Sequence, residues 1–309
     1  MENNILVVGS LNMDLNTKVK TLPGKGETVF GEHFYTVPGG KGLNQAVSAS
    51  RSGGNTWILG KIGNDYYGKL ILEQLEKSGL NTELIKMEEN TETGKAVINV
   101  DERGNNTIVV IPGANSKLSI KDIDDNIEIF NKMDSILLQI EIPKTVVFHT
   151  IEKTYDLKQT NIILDPTPVT EIPDNIYKKL DIITPNLTEA EQLSGYKVKN
   201  QNDYKKVSRF FINKGVKNVL LTIGDKGVFV KNKDIEQLIK GVKVKSTDST
   251  AAGDCFVGAF ASRYTGNNLI EAVEFANYAA ALSTTKKGAV SSLPNKIEIF
   301  NFRGGQQNE

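Results

Sequence analysis

The sequence predicts an α/β protein with a mostly parallel central sheet, helices on both faces of it and a small additional β-sheet. Three observations lead there. Short, β-rich apolar runs alternate with amphipathic helical stretches along most of the chain, the pattern of right-handed βαβ crossovers. Two segments, residues 16–35 and 93–112, break the alternation and read as strands without helices. The chain has 309 residues, of which 39% are apolar and 24% charged, enough for one large α/β domain with an appendage or for two domains.

Taken in order, residues 5–8 read as the first buried strand, followed by the extended segment 16–35 and a second buried strand at 56–59. Tyr67, Ile71 and Leu75 fall at i, i+4, i+8 and place a helix. Ala96, Ile98 and Val100 alternate with Val97, Asn99 and Asp101, and a polar turn at 102–106 leads to a second run at 107–111, a hairpin signature. Strands at 136–140, 162–164, 182–184 and 219–223 follow, with a helix marked by Val147, Ile151 and Tyr155. Residues 242–245 read as one more strand, and Phe256, Phe260 and Tyr264 mark a helix. The expected division is a body of residues 1–15, 36–92 and 113–303, a β insert of 16–35 and 93–112, and a short polar, disordered tail, 304–309. Ligands of such a body bind beyond the carboxyl ends of its strands.

Composition removes several function classes. Thirty-seven Lys and Arg balance thirty-seven Asp and Glu, so a chain-wide cationic field for nucleic acid or anionic lipid is not expected. A single cysteine, Cys255, forbids an internal disulfide framework. His33 and His149 stand far apart without metal-ligand spacing, against a zinc site or a His-based triad. The first residues lack the n-region and length of a signal peptide, and no apolar run reaches the ~18–20 residues of a membrane span. A soluble, cytoplasmic protein with no membrane partner is expected.

The most informative segment is Asp248-Ser-Thr-Ala-Ala-Gly-Asp254, which runs into a helix. Ala251, Ala252 and Gly253 let backbone N–H groups approach a ligand, and a helix N-terminus adds partial positive charge, a cradle for a transferring phosphoryl group. Asp254 beside it reads either as a helix cap or as a general base taking the proton of an attacking hydroxyl. In Pro38-Gly-Gly-Lys-Gly-Leu-Asn44, Gly39, Gly40 and Gly42 form a turn into a helix, with Lys41 and Asn44 as donors beside it; a plain strand-to-helix turn is the alternative. It is neither a Walker loop nor Gly-x-Gly-x-x-Gly. Asn12 and Asp14, two apart at a strand end, point to one side and suit vicinal sugar hydroxyls, or mark a turn. Asn186 and Glu189 read as a capping box or as neighbours of a metal-bound triphosphate. Thr222, Gly224 and Gly227 admit a nucleotide or form a tight turn. Asn277, polar on an apolar stripe, needs a partner, a backbone carbonyl or a nucleotide edge. Cys255 and His149 read as structural.

Each signal alone is modest, but their order is distinctive. Gly-Ser-x-Asn-x-Asp, Gly-Gly-Lys-Gly-x-Asn-Gln-Ala, Gln-x-Glu, Asn-x-x-Glu, Thr-x-Gly-x-x-Gly and Asp-Ser-x-Ala-Ala-Gly-Asp together resemble the PfkB-type carbohydrate kinases, from Val7 to about Pro294. The resemblance implies a kinase moving the γ-phosphoryl group of ATP to the 5-hydroxyl of D-ribose, with 2-deoxyribose, another sugar or a nucleoside as the alternative acceptor. A binding module that has lost the chemistry is the reading from another class, and retention of Asp254 with its Gly and Ala neighbours speaks against it. By resemblance Asp254 is the base, with Ala252 and Gly253 in the anion hole. Asn12, Asp14, Gly40, Lys41, Asn44 and Glu141 match sugar contacts. Asn186, Thr222, Gly224, Gly227, Gly253 and Asn277 match positions around ATP, and Glu189 the magnesium and phosphate motif. Asp248, Thr250, Ser283, Lys286, Gly288 and Ser292 match a potassium site built mostly from backbone oxygens. The β insert matches the family's lid, which implies a homodimer through the lids.

Overall fold

The computed structural model describes residues 2–157 and 159–306. From β1 (Asn4–Val8) the chain leaves the body to form β2 (Asn12–Val19) and β3 (Gly31–Gly39). It returns through α1 (Lys41–Arg51), β4 (Asn55–Gly63), α2 (Tyr66–Lys77) and β5 (Ile85–Glu88), then leaves again as the hairpin β6 (Gly94–Val100) and β7 (Asn106–Ile111). The short helices α3 (Ile120–Asp124) and α4 (Ile127–Phe130) precede β8 (Ser135–Leu138), α5 (Lys144–Leu157), β9 (Asn161–Leu164), α6 (Asp174–Tyr177) and β10 (Ile182–Ile183). Next come α7 (Leu187–Ser194), α8 (Gln201–Lys214), β11 (Asn218–Thr222), β12 (Gly227–Lys231) and β13 (Glu236–Lys240). The helices α9 (Ala252–Arg263), α10 (Leu269–Ser283) and α11 (Lys296–Gln306) close the chain.

The large sheet has the order β13-β12-β11-β10-β9-β8-β1-β4-β5. Its strands are parallel from β11 to β5, and β11, β12 and β13 form an antiparallel edge. Successive side chains of β1 enter opposite layers. Ile5 and Val7 pack with α1, α2, α9 and α10, whereas Leu6 and Val8 pack with residues of α3, α5 and α8. Both faces are therefore apolar, which is why the parallel strands read as unbroken hydrophobic runs. Strand β1 lies between β4 and β8, and the connections after it and after β8 depart to opposite sides. The crevice at such a point is where ligands bind in open α/β sheets.

The small sheet has the order β3-β2-β6-β7, with β2 and β6 parallel and the outer pairs antiparallel. It begins at Asn12 and ends its second strand at Gly39, so residues 12–15 and 36–39, expected in the body, belong to this sheet. The register puts Asp14, Asn16, Tyr35, Ile98, Ile108 and Val110 on one face.

Two further expectations meet a different outcome. Residues 242–245 are not a strand: the chain leaves the sheet edge at Gly241, and Val242 and Val244 alternate with lysines without a neighbouring strand to pair with. Helix α11 runs to Gln306, so residues 304–306 are helical; residues 307–309 lie outside the described residues. Among the described residues, no helix is long and apolar enough to cross a membrane.

Candidate active site

Segments following β1, β8, β9 and β10 meet the first turns of α1 and α9 above the crevice. Helix α1 has Gly40 as its N-cap, at φ 92°, with no side-chain cap. Its opening amides bond instead to neighbouring segments: Lys41 N to Glu141 Oε2 (3.1 Å), Gly42 N to Ser10 Oγ (3.3 Å) and Leu43 N to the Ser10 carbonyl (3.0 Å). A Cβ at Gly42 would stand 2.5 Å from Ser10 N, so glycine there is a requirement of this close approach. Ser10 Oγ donates to the same Glu141 oxygen at 2.5 Å. Thus Glu141, a predicted sugar contact, also ties α1 to β1 through Oε2.

One turn of α1 then presents Lys41, Asn44 and Gln45 to Asp254, the third residue of α9. Lys41 Nζ lies 3.3 Å and Gln45 Nε2 3.2 Å from Asp254 Oδ1, and Asn44 Nδ2 donates to Oδ2 at 3.1 Å. The capping alternative for Asp254 therefore fails. The N-cap is Ala251, in the left-handed region at φ 59°, with no side-chain cap. It is the only non-glycine residue at positive φ among the described residues, a conformation costing about 1–2 kcal/mol. It turns the chain so that the N–H groups of Gly253 and Asp254 bond to no acceptor among the described residues. Helix polarity and these open donors suit an anion. A Cβ at Gly253 would meet nothing within 4 Å, so packing does not demand glycine there.

Asn44 Oδ1 is buried without a hydrogen-bond partner. Such an acceptor is costly, and a donor hydroxyl on a ligand would satisfy it. Asn12 is oriented by Asn115, whose Nδ2 donates to Asn12 Oδ1 at 2.8 Å while its own Oδ1 accepts from Leu11 N. Asp14 lies two residues on, against Gly39.

Carboxylates crowd this cleft. Burial, then the charges of Glu141 and Asp254, push the Asp14 carboxyl up to about 7. Glu141 is raised by burial against its hydrogen bonds from Ser10 and Lys41. Burial also raises Asp254, with Lys41 opposing and Asp165 adding to the rise. Lys41 is held charged: burial opposes this, but Asp165, Asp254 and Glu141 together lift its ammonium well above the ordinary lysine range. A base made stronger by its surroundings is what proton abstraction near neutral pH requires.

At the start of α7 the capping box forms: Asn186 Oδ1 accepts from Glu189 N, and Glu189 Oε2 accepts from Asn186 N, both at 2.9 Å. Glu189 nevertheless faces the cleft. Thr167 Oγ1 lies 2.6 Å from Glu189 Oε1 and 2.7 Å from Asp165 Oδ1. One hydroxyl hydrogen cannot serve two carboxylates, and Asp165 already has the Lys41 ammonium, so Glu189 is the one short of positive charge, and a hard divalent cation suits its oxygens. Burial, then Asp165, raises Glu189. Among the described residues no three His, Cys, Asp or Glu side chains form a ready metal cage, so such an ion would share its shell with phosphate oxygens.

Thr222 N and Oγ1 both donate to the Pro185 carbonyl. Gly224 has φ 58° and open space at its Cβ position, whereas at Gly227 a Cβ would stand 2.1 Å from the Ile239 carbonyl oxygen. Gly227 is thus fixed by packing. Asn277 Nδ2 donates to the Lys240 carbonyl at 2.7 Å, the backbone partner foreseen, and the residue lines a cavity of about 610 Å³ with Val242, Lys243 and Tyr278. That cavity does not include Thr222, Gly224 or Gly227.

The Asp248 carboxylate gathers its loop: Oδ1 accepts from Thr250 N and Oγ1, and Oδ2 from Gly288 N. Ser283 and Ser292 are buried and donate to the carbonyls of Ala280 and Ala289. The Lys286 ammonium pairs with Glu298 at 2.7 Å, so only its backbone could face a cation. Backbone oxygens beside a carboxylate suit a hard monovalent ion.

Sequence reasoning passed over Asp165, Gln45, Thr167, Ser10 and Asn115. Asp165 is 5% exposed and accepts from Lys41 Nζ (3.1 Å) and Gln45 Nε2 (2.8 Å). The available signal was an acidic residue at the carboxyl end of an apolar strand. Cys255 is buried, its thiol pushed up to about 12 by burial, and His149 pairs with Asp124 away from the cleft; both fit the structural reading.

Comparison with known proteins identifies the family. The family described as "pfkB family carbohydrate kinase" matches residues 2–296. The chain is 36% identical over 302 residues to "Ribokinase" of Staphylococcus aureus, covering 97% of this chain and 99% of that one. It is also 36% identical over 302 residues to "Deoxyribokinase" of Salmonella typhi, covering 96% and 97%. The structure of Arabidopsis thaliana ribokinase complexed with ribose and ATP superposes with a TM-score of 0.90 at 31% identity, covering 98% of this chain and 99% of that one.

Proposed function

The chain belongs to the pfkB family of carbohydrate kinases, and on that premise we propose that it uses ATP to phosphorylate the 5-hydroxyl of D-ribose. The observation that carries this reading is the pairing at one helix start: a buried carboxylate, Asp254, beside two open amides, those of Gly253 and Asp254 itself. A hydroxyl docked there has an acceptor for its proton and faces donors for the group it attacks.

In this mechanism Asn12, Asp14, Gly40, Lys41, Asn44 and Glu141 hold the sugar. Asp14 and Glu141 accept from its hydroxyls, Asn44 Oδ1 accepts one more, and Lys41 and Asn12 donate. Asp254 takes the proton of the 5-hydroxyl as that oxygen bonds to the γ-phosphorus. The bond from phosphorus to the bridging oxygen breaks, and its electron pair leaves with ADP. Negative charge on the equatorial oxygens meets the amides around Ala252, Gly253 and Asp254. Asn186, Thr222, Gly224, Gly227 and Asn277 border ATP. Glu189 would hold Mg2+, which when bound neutralises phosphate charge. Asp248, Thr250, Ser283, Lys286, Gly288 and Ser292 would hold K+ behind the anion hole, stiffening the loop that presents Ala251.

We assign the small sheet the part of a lid that shields the reaction from water. Its sugar-side face carries exposed Tyr35, Ile108 and Val110 beside Asp14, apolar surface that supports a homodimer through the lids. ATP consumption and a lone buried cysteine support a cytoplasmic setting. The similarity to a deoxyribokinase keeps 2-deoxyribose as the second acceptor. Coupled assay of ADP formation over a panel of sugars, with and without K+, tests the reading. Ribose-dependent turnover is expected; a much higher kcat/KM on 2-deoxyribose would reassign the substrate, and ligand binding with no turnover would overturn the kinase reading.

A further inference from the structure

Two buried carboxylates share the same two donors. Lys41 Nζ reaches Asp165 Oδ2 at 3.1 Å and Asp254 Oδ1 at 3.3 Å, and Gln45 Nε2 reaches the same two oxygens at 2.8 and 3.2 Å. Gln45 is itself fixed from behind, where Gln139 Nε2 donates to Gln45 Oε1 at 2.6 Å. The other Asp165 oxygen is taken by Thr167, which also bonds Glu189. Asp165 therefore stands between the segment bearing the base and the segment bearing Glu189, yet it needs no contact with the sugar.

We propose that Asp165 is a positioning residue for phosphoryl transfer: it holds the Lys41 ammonium and the Gln45 amide midway, so that neither closes on Asp254 as a one-to-one partner. The physical reason is a competition of charges. A lysine beside one buried carboxylate makes a contact ion pair, and a paired carboxylate is a poor base. With a second carboxylate on the opposite side, the ammonium is drawn both ways, keeps its charge and leaves Asp254 free to take a proton. The groups facing Asp254 are Lys41, Asn44 and Gln45 from α1, Asp165 after β9, Glu141 after β8 and Asp14 on β2. Among them Asp165 is the one acid that engages the same donors as the base. This inference rests on the reading of Asp254 as the base.

The test is Asp165→Asn, equal in size and without the charge. Expected are a kcat lowered by ~10–100-fold, the scale of a misplaced catalytic group, and an acid limb of the kcat profile moved to lower pH. Ribose affinity without nucleotide, by calorimetry, should stay within about threefold, since no sugar contact is lost. Gln45→Met removes the other shared partner and gives an independent reading: kcat should fall while ribose affinity holds. The inference is overturned if both variants keep kcat within twofold and the acid limb stays in place. It is equally overturned if weakened ribose binding accounts for the whole loss. Wild-type protein that fails to phosphorylate any sugar would instead sink the kinase reading, so the two failures are distinguishable. Should Asp165→Asn not fold, Gln45→Met decides by the same criteria.

Discussion

Gly258 of α9 lies directly against Gln45 of α1: a Cβ on Gly258 would stand 2.4 Å from the Gln45 carbonyl oxygen and 2.6 Å from Ser48 Cβ. Ser48 Oγ meanwhile donates to the Cys255 carbonyl at 2.8 Å. The two helices touch backbone to backbone one turn below the site, and this contact brings Asp254 within reach of Lys41, Asn44 and Gln45. Gly258→Ala should cost about 1–3 kcal/mol of stability through overpacking. Activity should fall further than stability explains, because the helices separate where the base meets its donors. Thermal unfolding alongside kcat at a temperature where the variant is fully folded checks this.

Asp254→Asn should abolish turnover by ~10²–10⁴-fold, the usual worth of a positioned base, while ribose still binds. The apo protein should be no less stable, because the substitution removes one charge from a cleft rich in carboxylates. Near-wild-type turnover in this variant would contradict the assignment.

Gly253→Ala separates folding from function. Nothing stands within 4 Å of the added methyl, and Ala is favoured over Gly in a helix by up to ~1 kcal/mol. Stability should hold or rise slightly. Turnover should fall at least about tenfold, because the methyl enters the open space in front of the amide and holds the phosphoryl group away from it, and a misplacement of ~1 Å can cost ~10²-fold. A fully active variant would show that the phosphoryl group does not pass the open face of Gly253.

Asp14 gives a pH signature. Its carboxyl, raised by burial and then by Glu141 and Asp254, titrates at about 7, above its value in an unfolded chain. Stability from the protonated form is fully present below pH ~4 and is lost as pH rises through about 7. Sugar hydroxyls donate better to the ionised form. Ribose affinity should therefore strengthen between pH 6 and 8 while apo stability weakens, as calorimetry and thermal unfolding would read. Asp14→Asn should flatten both trends. A ribose affinity independent of pH in the wild-type protein would refute this.

The parts legible in the sequence were those that repeat or interrupt a pattern. β1, β4, β8, β9 and β11 stood out because both sheet faces are covered, and the hairpin of β6 and β7 because its period is two. Asp254 was visible through its small neighbours, and the order of motifs implied a base; its own segment left cap and base open, since both have the same letters, and the left-handed turn at Ala251 removes the cap. Asp165 and Gln45 were hidden for a different reason. An aspartate before proline at a strand end looks like a turn, and a glutamine within a helix looks like surface. Their importance arises when α1 lies across the end of β9, a contact between residues 120 positions apart. Residues 242–245 misled because alternation was present without a strand to pair with.

Strand β2 carries Asn12 and Asp14 at its start and then runs outward as the middle of the small sheet. The proposed cover and the proposed grip are therefore one piece of backbone. On the proposed reading, a swing of that sheet away from the body would take two of the sugar's handholds with it, so unloading the phosphorylated product and readmitting solvent would become a single event rather than two ordered ones.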